Sequence, residues 1–238
     1  MKYIVKITAL FLLFFNCLAV METAKIKNGM SYNLNAEAIK LNPDETVWKV
    51  ENQQKLSLAY AFRMARGFSM NGKFGLGIEL GGEIGAVGYP SVAGVTEYNP
   101  SLDSYRIRYI PKDNKFLMVP RYFVKFGIMQ NSRLSFAAKL NMGASGFSSG
   151  SLIASGTVGE NEVYSALTMF NRYLKDTEKR IIEEGKGIYG CIGIERPTSF
   201  QIASGKKTLY NYIELGFSKN YWYSDKHSIV IAFGVSIK

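Results

Sequence analysis

The chain has 238 residues, 47% of them apolar, and a formal net charge of +10 that falls to +8 without Lys2 and Lys6. That length bounds it to one packed domain, and the lack of a dense Lys/Arg run with interleaved aromatics sets nucleic acid aside as a partner. Cys17 and Cys191 are the only cysteines and His227 the only histidine, too few for a zinc site of the usual kind.

Residues 1–20 read as a secretory signal. Lys2 and Lys6 give a positive start, Ile7 to Phe15 an apolar stretch interrupted only by Thr8, and Cys17 and Ala19 a small-x-small cleavage point. The segment is too short for a spanning helix, which needs about 20 apolar residues. Phe14, Phe15 and Asn16 are also unsuited to a lipid-acceptor motif around Cys17. The predicted domain then covers residues 21–238. It holds no stretch long enough for a transmembrane helix, so only a closed barrel could span a bilayer. Loss of Cys17 leaves Cys191 without an intramolecular disulfide partner.

Period-two patterning recurs along that domain and places alternate side chains on opposite faces of a strand. From Leu56 to Phe68 one face carries Leu58, Tyr60, Phe62 and Met64 and the other Ser57, Ala59, Ala61, Arg63 and Ala65. Asn71-Gly72 predicts a hairpin turn. Next, Phe74, Leu76, Ile78, Leu80, Ile84 and Ala86 oppose Gly75, Gly77, Glu79, Gly81, Glu83 and Gly85. These glycines alternate with apolar residues and no helix follows them, so they read as small lumenal positions and not as a phosphate loop.

Further along, Tyr122, Val124, Phe126 and Ile128 oppose Arg121, Phe123 and Lys125. Across a Gln130-Asn131-Ser132 turn, Leu134, Phe136, Leu140 and Met142 oppose Ser135, Ala137, Lys139 and Asn141. Near the end, Ile213, Leu215 and Phe217 oppose Tyr212, Glu214 and Gly216. Ser224-Asp225-Lys226 then turns the chain into a last strand of Ile229, Ile231, Phe233, Val235 and Ile237. Weaker strands fall at Met30 to Ala38, Tyr105 to Ile110, Ser151 to Thr157 and Ile188 to Ile194. The polar stretches Asn42 to Gln54 and Gly88 to Ser104 read as long outer loops. Glu160 to Glu184 reads as an amphipathic helix in a long loop, with Val163, Leu167, Phe170, Leu174 and Ile181 near one face and Gly185 as its C-cap.

The predicted fold is therefore all-β: an antiparallel up-and-down transmembrane β-barrel of 8–10 strands, with one amphipathic helix in a loop. A soluble barrel would invert the faces and present a polar exterior rich in charge. Here the non-apolar face is mainly Gly, Ala and Ser, which suits a narrow lumen. Aromatics near strand ends, Phe68 and Phe74 beside one turn and Tyr221-Trp222-Tyr223 beside another, suit an interfacial girdle. Signal, meander, short turns and amphipathic last strand together resemble the small bacterial outer-membrane barrels represented by outer membrane proteins A, X and W. The end Val235-Ser236-Ile237-Lys238 departs from their usual terminal aromatic.

That resemblance implies a bacterial outer-membrane location, with membrane lipid and the barrel-assembly machinery as partners. The side chains expected to matter inside are the charges Arg63, Glu79, Glu83, Arg121, Lys125, Lys139 and Glu214, either as a paired network that seals the lumen or as a polar lining for small solutes. His227 reads as a solvated turn residue. No enzyme, cofactor or metal chemistry is expected. The leading reading is a structural or surface-interaction barrel whose loops meet extracellular or envelope partners. A narrow porin-like channel and a soluble periplasmic ligand-binding barrel are the alternatives.

Overall fold

In a computed structural model, which describes residues 20–40, 56–70, 75–99, 104–143, 148–175, 181–201, 208–219 and 227–238, the alternating segments are strands of one sheet. They are β1 (Gly29–Lys40), β2 (Leu56–Met70), β3 (Leu76–Asn99), β4 (Ser104–Ile128), β5 (Leu134–Gly143), β6 (Ser148–Val158), β7 (Asn161–Lys175), β8 (Ile181–Gln201), β9 (Thr208–Lys219) and β10 (Ser228–Ile237). Each pairs antiparallel with its neighbours in sequence, and β1 pairs with β10 to close a ten-strand barrel. Closure leaves no free edge, so the backbone donors and acceptors of the wall bond within it.

The faces fall as the alternation predicts. Leu58, Met64, Leu80, Phe126, Leu140, Leu152, Leu167, Ile192, Leu215 and Ile231 lie on the outside, each more than a third exposed. Ala59, Ala61, Arg63, Lys125, Ser135, Lys139, Ser151, Tyr164, Tyr212 and Glu214 face inward and are buried. An exterior this apolar is costly in water and favourable in lipid. The cross-strand row Ile192, Leu215 and Ile231 belongs to this outer band. Replacing Leu215 by Arg is expected to cost about 2–4 kcal/mol, measured as reduced unfolding stability in lipid vesicles. An equal effect in both vesicles and plain buffer would contradict a lipid contact.

The two ends of the barrel differ. At the end holding the start of β1 and the end of β10, connections are short. Gln130 N–H donates to Gly75 O at 2.8 Å. Gly159 and Glu160 alone join β6 to β7, with Gly159 at φ 63° in the first central position, where a II′ turn takes glycine. At the opposite end β3 and β4 run on to 24 and 25 residues, whereas β5 and β10 have 10 each. A spanning strand needs about 9–11 residues, so the β3–β4 hairpin continues well past the apolar band. Gly88 to Asn99, expected as loop, is thus strand, with a register shift between Pro90 and Val92. That irregularity accommodates a proline that cannot donate to the ladder.

The expected helix over 160–184 is also corrected: residues 161–175 and 181–201 are strands, and Gly185 pairs with Arg172 inside the wall. The spacing of Val163 and Leu167, four residues, is a multiple of two as well as near one helical turn. The buried set Tyr164, Ala166, Thr168 and Phe170 shows which period governs. No helix occurs among the described residues. The signal segment 1–19, Asn42 to Gln54, Asn71-Gly72, Phe74, Tyr221-Trp222-Tyr223 and Ser224-Asp225-Lys226 lie outside the described residues.

Candidate functional site: the occupied lumen

Inside the wall runs a segment the sequence did not signal. Residues 20–27 precede β1 and pass through the lumen toward the end where β1 begins, with Val20, Met21, Glu22, Thr23, Ala24 and Ile26 buried. We refer to it as the strap. It is anchored through its backbone: Val20 N–H and Met21 N–H donate to the two Glu214 oxygens at 2.9 and 2.8 Å. Ala24 N–H donates to Ser155 Oγ at 3.1 Å and Ile26 N–H to Gln130 Oε1 at 2.5 Å. Asn33 Nδ2 donates to Met21 O at 2.9 Å. A backbone without regular pairing partners needs such side-chain partners once it leaves water.

Wall glycines make the room. A Cβ on Gly67 would overlap the Lys27 carbonyl oxygen, and one on Gly77 or Gly127 would press on Ile26 at 3.1 and 3.0 Å. On the other side of the lumen, Gly193 lies beneath the ring of Tyr164, Gly187 beneath Phe170 and Gly216 beneath Tyr189. The small positions therefore receive either the strap or an inward aromatic, and the lumen is packed with both.

Glu22 sits at the centre of the charges. Its carboxylate meets Arg63 Nη1 at 2.7 Å, Lys125 Nζ at 2.9 Å and Lys139 Nζ at 2.6 Å. Arg63 and Lys125 also bind Glu79, at 2.6 and 3.0 Å, and Arg121 pairs with Glu83. Phe123 lies beneath the cluster, with Arg63 Cζ 4.8 Å and Lys139 Nζ 4.3 Å from its ring centre, a favourable placement over the negative face of the ring. All seven residues expected inside, Arg63, Glu79, Glu83, Arg121, Lys125, Lys139 and Glu214, are buried in the interior. Six of them gather around or beside Glu22. Glu214 stands apart, taking Tyr164 OH at 2.7 Å and Tyr189 OH at 2.5 Å besides the two strap amides.

Nearer the end where the strap leaves, Lys25 pairs with Glu162, and Lys238 Nζ meets Glu195 at 2.7 Å. Glu195 also accepts from Tyr212 OH at 2.7 Å, and Lys27 Nζ donates to Tyr210 OH at 2.5 Å. Charges buried this deeply are tolerated only when each is compensated. The strap supplies Glu22 and Lys25 to that end. His227 is exposed at the start of β10, and Cys191 is a buried free thiol on the inner face.

Fold and lumen together define a closed β-barrel of the membrane-spanning class, apolar outside, polar and filled inside. No family profile and no curated protein sequence matches the chain. Among solved structures it is similar to the transport unit of the autotransporter AIDA-I from Escherichia coli, at 12% identity over 97% of this chain and 96% of that one, with a TM-score of 0.46. It is also similar to the beta domain of the Bordetella autotransporter BrkA, at 11% identity over 88% and 97%, with a TM-score of 0.42. The KdgM porin in complex with disordered oligogalacturonate gives 11% identity over 87% and 98%, with a TM-score of 0.38. These likenesses extend to the general barrel form.

Proposed function

We propose that this chain is exported, processed and inserted in the bacterial outer membrane as a sealed barrel, whose role is structural or surface-interacting and not conductive. The observation that carries this reading is the strap in the lumen, with Glu22 bound to Arg63, Lys125 and Lys139. A solute path through that section would have to displace a backbone held at both ends and expose three cations to an altered field. Barrels of about 8 strands are already nearly filled by side chains, and here a length of chain fills the additional room of ten strands.

What such a barrel offers its surroundings is its extended end. The β3–β4 hairpin continues past the apolar band by about a dozen residues per strand, which at roughly 3.3 Å per residue is on the order of 40 Å. Its register sets Glu97 opposite Arg106 and Tyr98 opposite Tyr105, so the two projecting strands are paired with each other. This favours a stiff surface projection for extracellular or envelope partners. No enzymatic role is part of the proposal.

In planar bilayers the purified full-length protein is expected to be electrically silent under conditions where an open porin conducts. Steady unitary conductance from the intact protein would overturn the sealed reading and favour a narrow channel. Recovery as soluble periplasmic protein would overturn the membrane location itself.

A further inference from the structure

Glu214 differs from the ion-paired carboxylates of the lumen. Glu22, Glu79, Glu83, Glu162 and Glu195 each hold at least one Lys or Arg side chain. No Lys or Arg side chain among the described residues pairs with Glu214, which is 1% exposed and surrounded by Tyr164, Tyr189, Val20 and Met21. Four hydrogen bonds satisfy its oxygens, yet its charge has no side-chain counterpart. A buried carboxylate in that position is costly unless a cation stands near it.

The nitrogens within reach of that role are those of Met21, 2.8 Å from Glu214 Oε2, and Val20, 2.9 Å from Oε1, and the one that directly follows the small-x-small pair Cys17 and Ala19 is the Val20 nitrogen. As an amide it is neutral. As a chain terminus it is an α-ammonium, the cation that Glu214 otherwise lacks. We propose that hydrolysis of the Ala19–Val20 peptide bond creates the mature N-terminus and that Glu214 is its built-in receptor inside the barrel. In that step water adds across the bond: the carbonyl carbon of Ala19 takes the hydroxyl, the Val20 nitrogen takes the hydrogen, and the amine then protonates. The site agrees with the small residues Cys17 and Ala19 and moves the boundary one residue upstream of a 1–20 signal.

The geometry around the nitrogen is that of a clasp. The Val20 and Met21 nitrogens address the two oxygens of one carboxylate, while Tyr164 and Tyr189 donate to the same oxygens from β7 and β8 and hold the acceptor still. Gly234 and Asn35 complete the seat: a Cβ on Gly234 would lie 2.7 Å from Met21 Cε and would overlap Asn35 Oδ1. Signal removal thereby yields the charge that locks the strap in place, and processing is coupled to sealing. This inference rests on the export reading but not on the absence of conductance.

The test is terminal sequencing by mass spectrometry of the protein extracted from the membrane fraction, combined with amine acylation before and after boiling. The expected first residue is Val20, with its α-amine acylated at least tenfold more slowly in the folded barrel than in the boiled chain. Glu214→Gln, which keeps an acceptor but removes the charge, is expected to abolish most of that protection. Should Glu214→Gln fail to fold, the wild-type sequence refolded with Leu18-Ala19 retained before Val20 is the second comparison, and its gel-shift midpoint on heating is expected to fall. A first residue other than Val20, equal acylation in both states, or an unshifted midpoint in the extended chain overturns the proposal. Conductance from a barrel with a protected Val20 terminus would overturn the sealed reading alone.

Discussion

Glu22→Ala is expected to destabilise the barrel by about 3–5 kcal/mol, the range for removing one partner of a buried ionic cluster. The reason is what the substitution leaves behind. Arg63, Lys125 and Lys139 all converge on the Glu22 carboxylate within 2.9 Å, and of the three only Arg63 and Lys125 keep Glu79 as a second anion. Lys139 would retain its place over Phe123 but lose its ion pair to the strap. A shape-preserving Glu22→Gln should lose most of the same energy, because the charge and not the volume is what compensates the three cations. Adding Lys139→Met to Glu22→Ala should recover part of the loss, since one fewer cation is then stranded. Unfolding in denaturant, followed by the heat-dependent gel shift, measures all three. If Glu22→Ala shifts stability by less than 1 kcal/mol while the barrel remains closed, the charge cluster is peripheral to its stability.

The parts of this fold that sequence revealed are those where lipid and lumen impose opposite chemistry on successive residues. Leu134 to Met142 reads cleanly because Phe136 and Leu140 must face outward and Ser135 and Lys139 must not. The same contrast identified the inward charges: a Lys or Glu on a lipid face is prohibitive, so Glu79, Lys125 and Glu214 could face only inward. Beyond the membrane that contrast vanishes. Gly88 to Asn99, with Pro90, Gly94 and Glu97, shows no lipid face and reads as loop, although it is paired along its length. The 161–175 strand was obscured differently, by apolar residues four apart that satisfy both periods, while Tyr164, Ala166, Thr168 and Phe170 carried the inward pattern.

The strap was illegible for a further reason. Its eight residues, Val20 to Lys27, have no period because they pair with no strand, and their partners Ser155, Gln130, Glu214 and Lys139 lie more than 100 residues away. Only the wall hinted at it: Gly67, Gly77 and Gly127 are smaller than a lumen filled by wall side chains alone requires.

Deleting residues 20–27, so that the processed chain begins at Asn28, is expected to convert a silent barrel into a conducting one. The deletion removes the backbone that Gly67, Gly77 and Gly127 make room for, and those glycines have no side chains with which to fill the space. Wall side chains cannot collapse inward by much, because each strand is fixed by pairing on both sides. Water then enters around the vacated Glu22 position, where the four cations Arg63, Arg121, Lys125 and Lys139 outnumber the two remaining carboxylates Glu79 and Glu83. An excess of charge of one sign at a constriction selects the opposite ion, so the opened barrel, with cations in excess, should favour anions over cations. Reversal potentials across a salt gradient measure that preference. A synthetic peptide of residues 20–27, added from the side facing the short turns, should block the current, since its amide and Glu22 partners are intact in the wall. A deleted barrel that is folded, heat-shifted and still silent would mean that side chains alone seal the lumen and that the strap stabilises a barrel already closed.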